Sequence, residues 1–324
     1  MSNVSLSLKT KILNGIRNIF KWEPLEVWLQ RNTVNKPLSS IWGKLPANHY
    51  QYSPQSFRKV CVNGIWYQLD ISNFNDWSVY FGLKEEQRER LLGLVEEGNY
   101  VIDVGANIGA VSLPFAKIVG KEGKVISLEP HPVTHQKLLN NLSLNDFPQL
   151  IPLQKGLGDT TTTFTISTID AHNPGRNRIL PENQNDEYEI LENHEIEVDT
   201  LDKVVADLNL QRVDLIKIDV EGFEMKVLEG GKFVLEELSP HLFIELDDSH
   251  LQAQGSSAKE LVAFLEGFKY LVWKASNMES IDSSMDFTNC HFDIVAKKSI
   301  AGMKNHWINS CDFSTEFILR KKDS

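Results

Sequence analysis

The feature of this sequence that most constrains its fold is a regular alternation of strand-like and helix-like segments, which begins near residue 98. The strand-like runs are rich in apolar and β-branched residues, and most are followed by a stretch long enough for a helix. Near-continuous apolar runs are typical of parallel strands that are covered on both faces. The alternation therefore predicts an α/β domain with a mostly parallel sheet and helices on both faces.

The predicted elements can be placed along the chain. The strand-like runs are YVIDV, KVISLE, LIPLQKG, VDLIKIDV, HLFIEL, FKYLVW and CHFDIVAKK, and the helix-like stretches span residues 109–119, 132–144, 223–237 and 257–267. Because only a loop precedes the last run, we expect it to insert antiparallel rather than through a helical crossover. Residues 169–194 are polar and acidic, which indicates either a functional lid or a disordered stretch.

Composition limits the class of partner and the compartment. The formal net charge of −11 argues against binding nucleic acid through the overall field of the protein. Cys61, Cys290 and Cys311 are far apart and odd in number, so neither a disulfide framework nor a structural zinc site is indicated. No apolar run approaches the roughly 20 residues of a membrane span. We therefore expect a soluble protein in a reducing cytoplasm.

Residues 6–22, LSLKTKILNGIRNIFKW, form a local exception to the acidic composition. Apolar residues recur there near helical spacing beside Lys9, Lys11, Arg17 and Lys21, and no acidic residue precedes Glu23. Such a basic amphipathic segment can lie on an anionic membrane. A helix that packs on its own domain shows the same pattern, and we favour that interpretation. Peripheral membrane contact stays open.

The first predicted strand leads into a turn, VIDVGANIG, that indicates the kind of cofactor. A dinucleotide-binding turn has a further glycine between Gly105 and Gly109, where the backbone approaches a pyrophosphate, but here that position is Asn107. Asp103 adds a negative charge that opposes a phosphate. Both features favour a ligand that is cationic there, such as S-adenosylmethionine. Asp103 would attract its cationic portion, and free N–H groups of the turn would bind its carboxylate.

Further candidate cofactor contacts follow the next two strands. Glu129 ends the second strand, where a carboxylate can accept hydrogen bonds from both ribose hydroxyls, and Pro130 helps to end the strand. In KGLGD, Gly156 permits a close approach of the backbone, and Asp159 could bind the adenine amino group. We therefore add Glu129, Pro130, Gly156 and Asp159 to the predicted cofactor site.

These motifs closely resemble the FkbM family of S-adenosylmethionine-dependent methyltransferases over roughly residues 98–247. The resemblance is carried by DVGANIG, LEPHP, NNLSLN, VDTLD and VDLIKIDVEGFEMKVLEGG. It implies a class I methyltransferase (Rossmann-like) fold with a seven-stranded sheet whose last strand is antiparallel. It also implies S-adenosyl-L-methionine as cofactor, with contacts from Asp103, Gly105, Asn107, Gly109 and Glu129. Members of the family usually methylate a hydroxyl of a sugar, glycolipid or natural product, so such an acceptor is implied as the partner.

The sequence also indicates a division of the chain, because residues 1 to about 60 contain scattered prolines and aromatic residues and carry no motif of the family. We expect residues 1–75 to form a mostly helical N-terminal extension and residues 76–300 the class I methyltransferase domain, and we expect residues 301–324 to form a C-terminal tail. The sequence does not predict an oligomeric state.

The fourth predicted strand carries the candidate catalytic residues. In KIDVEG, Asp219 and Glu221 are two positions apart, so both side chains project to one face if the strand extends through them. At the carboxyl end of a central strand that face borders the cofactor crevice, where either could take the proton of a hydroxyl. Alternatively, one of them binds neighbouring backbone amides. His131 and His172 are further candidate bases.

A divalent metal is a further possibility that we do not favour. IELDDSH places Glu245, Asp247, Asp248 and His250 at the end of the fifth strand, where oxygen ligands could hold Mg²⁺. An acidic loop that faces water explains the same residues, so we predict no metal site.

Two other functions remain as alternatives. A nicotinamide-dependent oxidoreductase can use a related doubly wound fold, but Asn107 and Asp103 disfavour it. A non-catalytic binding module could keep the cofactor fold and dock on a membrane or a protein through residues 1–60.

Overall fold

The structure is a computed structural model that describes residues 8–169, 177–179 and 190–299. The α-helices are α1 Leu8–Arg17, α2 Glu23–Thr33, α3 Ile41–Lys44, α4 Phe74–Tyr80, α5 Glu86–Leu92, α6 Ser112–Val119, α7 Pro132–Ser143, α8 Leu201–Asp207, α9 Glu224–Glu229, α10 Asp248–Ala253 and α11 Ala258–Gly267. Short 3₁₀ turns cover Asn18–Lys21 and His49–Gln51, and a π-helix covers Val234–Leu238. None of the helices in these ranges combines the length and the apolar character needed to cross a bilayer.

The described residues also form thirteen strands. They are β1 Phe57–Val62, β2 Ile65–Asp70, β3 Tyr100–Val104, β4 Lys124–Leu128, β5 Leu150–Leu153, β6 Gly156–Leu157, β7 Thr162–Thr168, β8 Glu192–Asp199, β9 Leu215–Ile218, β10 His241–Asp247, β11 Tyr270–Lys274, β12 Ser280–Ile281 and β13 His291–Lys298.

Within the described residues, the central sheet has eight strands in the order β12-β11-β13-β10-β9-β3-β4-β5. The pairs from β10 through β5 are parallel, whereas β13 lies between β10 and β11 and is antiparallel to both. The α/β class I methyltransferase fold and the antiparallel insertion of the last run are confirmed. The strand count exceeds the predicted seven by β12, an edge strand of two residues that is too short to show a sequence period.

The run LIPLQKG is two strands rather than one. Its first part is β5 at the edge of the central sheet, and its last residue begins β6 in a separate sheet of order β6-β8-β7. The long strands of that sheet, β7 and β8, pair antiparallel across the interval predicted as a lid. Most of that interval, including His172, lies outside the described residues.

Both faces of the central sheet are covered, because successive strand residues point to opposite sides. On one face, Ile102, Ile126 and Ile216 share a buried cluster with residues of α8, α9 and α11. On the other face, Val101 and Val125 share a buried cluster with α6 and with residues of the first hundred positions. The predicted coverage by helices on both faces is confirmed.

The N-terminal segment contains a β-hairpin as well as helices. Strands β1 and β2 pair through a turn at Asn63 and Gly64, which both have positive φ, as a two-residue hairpin turn requires. The Asn-Gly pair between two alternating runs is the sequence signal for this hairpin, which was not predicted for the N-terminal segment. Leu29, Leu69 and Trp77 of this segment join the same buried cluster as α6. The domain boundaries at residues 75 and 300 stay predictions.

Candidate active site

A cavity of about 580 Å³ opens at the carboxyl ends of the central parallel strands. Its volume is typical of a small-molecule site, and open α/β sheets bind ligands at this edge. The carboxylic acid side chains in its lining are Glu85, Glu129, Asp219, Glu221, Glu245 and Asp293, and the cationic ones are Arg88, Lys155, Arg178 and Lys217. The cavity is therefore lined by charges of both signs.

The turn after β3 brings the backbone close to the end of β9. Gly105 has a φ of +80°, and a Cβ there would lie 2.0 Å from the carbonyl oxygen of Asp219, so only glycine fits. Asn107 has a φ of +51°, in the left-handed region that asparagine tolerates better than most residues. Gly105 and Asn107 line the cavity. Gly109 instead packs against the side chain of Leu138 and lies outside the described lining.

The N–H groups of this turn are largely used within the protein. Those of Gly105 and Ala106 donate to the carbonyl oxygen of Leu128, and that of Gly109 donates to the carbonyl oxygen of Ala106. The N–H of Asn107 donates to the Glu129 carboxylate. The prediction that free N–H groups of the turn bind the carboxylate of a ligand is therefore wrong for these positions.

Glu129 lies at the end of β4 with both carboxylate oxygens fixed by the backbone. Oε2 accepts the N–H of Asn107 at 2.9 Å, and Oε1 accepts the N–H of His131 at 3.0 Å. Each oxygen keeps a further lone pair for a hydroxyl donor in the cavity. Burial raises the pKa of Glu129 to about 7, although both hydrogen bonds oppose that shift. Pro130 and Gly156 line the cavity beside it.

Asp103 lies beneath the turn rather than in the cavity. Its side chain is fully buried, accepts a hydrogen bond from Ser112 Oγ and lies 3.3 Å from Nζ of Lys217. It does not belong to the described lining of the cavity. Direct attraction between Asp103 and a cationic ligand therefore does not follow from its position, because Lys217 already compensates the charge.

Lys217 is a site residue that the sequence analysis missed. Its Nζ donates to the carbonyl oxygen of Gly105 at 2.8 Å and lies 3.4 Å from Asp219 Oδ2, so it joins the turn to the end of β9. Burial acts to lower the pKa of Lys217, but the carboxylates of Asp219 and Asp103 outweigh burial and raise it. One signal in the sequence could have identified Lys217: it interrupts an apolar run predicted to be covered on both faces, and a fully buried lysine is rare unless it is paired.

Asp219 and Glu221 both line the cavity, although β9 does not extend through them. The chain turns after Ile218, and Glu221 has a φ of +55°. The Asp219 side chain is 47% exposed, whereas Glu221 is mostly buried and pairs with Arg178 Nη2 at 2.8 Å. Asp219 is thus the more accessible of the two predicted catalytic carboxylates.

The backbone of this turn is held by a third carboxylate, that of Glu224. Its Oε1 accepts the N–H groups of Val220 at 3.0 Å and of Gly222 at 3.1 Å. Burial raises the pKa of Glu224 to about 7. The amide-binding role that we considered for Asp219 or Glu221 is therefore performed by Glu224, which holds Glu221 in its left-handed conformation.

Glu245 and Asp293 face each other across the antiparallel pair of β10 and β13, and both line the cavity. Burial, followed by the charge of Asp219, raises the pKa of Glu245 to about 9 and that of Asp293 to about 6. The raised pKa favours the protonated form of Glu245, in which the carboxyl can donate a hydrogen bond. Asp293 was not predicted, because its strand follows the family motifs rather than carrying one.

The remaining acids of IELDDSH serve the local backbone. Asp247 is the N-cap of α10 and accepts the N–H groups of Ser249 and His250. Asp248 is buried and accepts the N–H of Ala258 at 3.0 Å. Over residues 8–169, 177–179 and 190–299, no three His, Cys, Asp or Glu side chains are grouped as metal ligands.

His131 and Asp159 lie away from the lining. His131 caps α7 by accepting the N–H of Thr134, and burial, with the nearby His194, lowers its pKa to about 4. Asp159 is exposed and lies outside the described lining of the cavity, so its contact with an adenine stays a prediction.

Comparison with known proteins assigns the family. The sequence profile described as the methyltransferase FkbM domain matches residues 103–272, slightly more than half of the chain. This chain belongs to the FkbM methyltransferase family. The resemblance seen in the sequence motifs is thereby confirmed, and the nicotinamide-dependent alternative loses its support.

Individual relatives of this FkbM family member are similar over part of their length. Methyltransferase sdnD of Sordaria araneosa is 32% identical over 156 residues, which cover 40% of this chain and 60% of that protein. Hexuronic acid methyltransferase AglP of Haloferax volcanii is 29% identical over 151 residues, which cover 46% of this chain and 56% of that protein. The chain thus spans somewhat less than two thirds of the length of these relatives.

Solved structures of methyltransferases are also similar to the FkbM chain. Methyltransferase FkbM from Methylobacillus flagellatus is 16% identical with a TM-score of 0.38, covering 63% of this chain and 44% of that one. Aeropyrum pernix fibrillarin, solved with bound S-adenosyl-L-methionine, is 14% identical with a TM-score of 0.39, covering 76% of this chain and 84% of that one.

Proposed function

We propose that this protein transfers a methyl group from S-adenosyl-L-methionine to a hydroxyl of a sugar, glycolipid or natural product. The observation that carries the proposal is the Glu129 carboxylate, which two backbone N–H groups hold at the cavity beside the Gly105 turn. A fixed carboxylate at the end of the second parallel strand of an FkbM family member suits the paired hydroxyls of a ribose.

The residues of the cavity fit this cofactor. The close approach of Gly105 to the Asp219 carbonyl leaves no room for a side chain, so the backbone itself borders the cavity there. Asp219, half exposed beside the turn, supplies the negative charge that favours a cationic ligand. Asp219 and Glu129 thus supply the negative charge for a cationic ligand that Asp103 was predicted to supply.

The residues of the chain position the acceptor and receive its proton. When bound, the cofactor supplies an electrophilic methyl group on a positively charged sulfur, which leaves as a neutral thioether. Asp219 is the proposed proton acceptor for the hydroxyl, since it is the accessible carboxylate of the turn. Glu221 is paired with Arg178, so we assign it the role of positioning the segment that includes Arg178 rather than that of proton acceptor. Glu245, whose raised pKa favours the protonated form, can donate a hydrogen bond to an acceptor oxygen.

The acceptor class is supported by the polar lining and by one relative. AglP is named as a hexuronic acid methyltransferase, and such an acceptor carries both hydroxyls and a carboxylate. The lining of the cavity contains carboxylates that can accept hydrogen bonds from hydroxyls. It also contains the cations Arg88, Lys155 and Arg178, each paired with an acid of this chain, so an anionic group would have to share them. We therefore place uronic acids first among the acceptors to test.

Calorimetry and a methylation assay test the proposal in turn. We expect the folded protein to bind S-adenosyl-L-methionine, and then to transfer labelled methyl to one of a panel of uronic acids, lipid-linked sugars and natural-product alcohols. Folded protein that binds NADH instead would contradict the cofactor assignment. Cofactor binding without transfer to any acceptor class would favour the non-catalytic binding module.

A further inference from the structure

Helix α1 attaches to the rest of the protein through its polar side. Asn14 bonds with the Tyr50 hydroxyl and with the amide of Asn48, and Arg17 Nε donates to the carbonyl oxygen of Lys44 at 2.9 Å. The amide of Gln51 donates to the carbonyl oxygen of Asn14. A surface helix normally buries its apolar face against the core and exposes its polar face. In α1 the arrangement is reversed.

Apolar residues of α1 and of the 3₁₀ turn Asn18–Lys21, together with Trp22 directly after it, face outward. Ile12, Ile16, Ile19 and Trp22 are spaced four, three and three residues apart, and between 55% and 65% of each is exposed. With Leu13, which is 40% exposed, they form what we call the outer strip. Other exposed apolar residues occur elsewhere, but here five of them adjoin within eleven positions of the chain. A contiguous exposed apolar patch of this kind marks an interaction surface.

The charge around the outer strip indicates what covers it. Lys11 is exposed beside the strip, and no acidic residue occurs before Glu23, although the whole chain carries a net charge of −11. Arg17 and Lys21 donate to the main-chain carbonyl oxygens of Lys44 and Gln51 rather than to carboxylates, so their charges are not neutralised by these contacts. In a symmetric contact with a second copy, the same cations would face each other across the outer strip and repel, whereas an anionic surface complements them.

We propose that the outer strip docks on the surface of an anionic lipid bilayer. The apolar side chains would enter the boundary between head groups and acyl chains, Trp22 would lie at the head-group level, and the neighbouring cations would bind lipid phosphates. The inference reverses the preference drawn from sequence, since the packing alternative required the apolar face of α1 to be buried. It does not rest on methyl transfer, so it can fail or hold independently of the proposed function.

Vesicle co-sedimentation of the full chain tests the proposal. One set of vesicles contains phosphatidylcholine alone, and the other contains equal parts of phosphatidylcholine and phosphatidylglycerol. We expect binding to the anionic vesicles at least about tenfold tighter than to the neutral ones, and weaker binding as salt screens the charges. Replacement of Ile12, Ile16 and Ile19 together by serine should lower the affinity by at least about tenfold.

A matched variant separates the outer strip from apolar exposure in general. Val133, Leu191 and Leu271 are similarly exposed elsewhere, and their joint replacement by serine should leave vesicle binding unchanged. Circular dichroism checks that both variants fold, and the single change Trp22→Ser gives a second, milder test. Absence of binding to anionic vesicles, or equal binding to both kinds, overturns the proposal. So does self-association in the absence of lipid that the triple serine variant abolishes, since the strip would then join two copies.

Discussion

At the scale of single residues, two carboxylates in the lining of the cavity differ in how firmly the protein holds them. Glu129 is fixed by two backbone N–H groups, whereas Asp219 is half exposed and lies 3.4 Å from Lys217. A fixed, buried carboxylate suits binding, because little conformational entropy is lost when a ligand arrives. A more accessible carboxylate suits proton transfer. The two acids thus lead to different expectations on substitution.

The change Glu129→Ala should weaken binding of S-adenosyl-L-methionine by about 2 to 3 kcal/mol, because two hydrogen bonds to a charged group are lost. Calorimetry measures the loss directly. Glu122→Ala, at an exposed position outside the described lining, is the matched control and should leave affinity unchanged. Unaltered affinity in the Glu129 variant would remove the ribose assignment.

The change Asp219→Asn should lower kcat by about 10²- to 10⁴-fold while affecting cofactor affinity less, because asparagine cannot take up the proton of the hydroxyl. Single-turnover kinetics with labelled cofactor separate the two quantities. Asp146→Asn, at an exposed site away from the cavity, controls for loss of a surface charge. Equal losses of rate and affinity would show that Asp219 acts only through its charge on the cofactor and is not the base.

At the scale of elements, the site depends on how closely the turn after β3 approaches the end of β9. The approach is fixed on one side by Gly105 and on the other by Lys217, which reaches under the turn to the Gly105 carbonyl. The first contact is between backbone atoms, and the second is made by a buried lysine, so neither can be relieved by a side chain moving into solvent. Changes here should therefore affect folding stability as well as binding.

The change Gly105→Ala should destabilise the protein by about 2 to 4 kcal/mol, since its Cβ would collide with a backbone oxygen and its φ is positive. Gly15→Ala is the contrasting variant. Gly15 lies inside α1 with nothing within 4 Å of an added Cβ, so alanine should stabilise the helix by up to about 1 kcal/mol. Urea unfolding of both variants measures the difference, and equal effects would contradict the steric argument.

The change Lys217→Met should cost about 3 to 5 kcal/mol of unfolding free energy, because it leaves the buried Asp103 carboxylate without its cation. Adding Asp103→Asn to that variant should recover much of the loss, since asparagine is neutral and still accepts a bond from Ser112. Lys121→Met, at an exposed position, is the control. Additive losses in the double variant would show that the ion pair does not couple the two residues.

At the scale of the whole molecule, acids with raised pKa values lie in the lining of the cavity and beneath the turn after β9 that borders it. Burial raises the pKa values of Glu129 and Glu224 to about 7 and that of Glu245 to about 9. Each folded-state pKa lies above the ordinary value for glutamic acid, so the folded chain holds more protons than the unfolded chain at intermediate pH. The stability that these groups confer is therefore complete at low pH and is lost as pH rises through about 7 to 9.

We expect the free energy of unfolding to fall as pH rises from about 6 to 9, because the folded protein still holds protons on these carboxyls that the unfolded chain has already released. The fall should level off once the carboxyls ionise in the folded protein as well. Urea unfolding at a series of pH values measures the slope. Glu245→Gln should flatten the upper part of that slope, because glutamine cannot ionise. A stability that rises over this range would show that the carboxyls of the cavity are ionised throughout.

The sequence predicted the parts of the fold that have a strong local period. The doubly covered strands, their helices and the antiparallel last strand follow from apolar runs, and Glu129 follows from its place at a strand end. Lys217 and Asp293 could not be placed in the same way, because their roles depend on neighbours distant in sequence. Asp103 shows the limit most clearly, since spacing locates it beside the turn but cannot reveal that a lysine lies beneath it.

Other expectations concern the cell and remain predictions. The cytoplasmic location, the lack of a nucleic-acid partner and the adenine contact of Asp159 depend on composition and spacing alone. Attachment to a bilayer through α1 would make the location membrane-peripheral.

The antiparallel course of β13 has a practical consequence for handling the protein. His291, at the start of β13, pairs with Asp247 and lines the cavity. Lys298, at the end of β13, pairs with Tyr270 at the opposite end of the strands. An extended strand of this length spans roughly 25 Å. Surface immobilisation through a tether at Ser299 should therefore leave the mouth of the cavity open to the bulk solution.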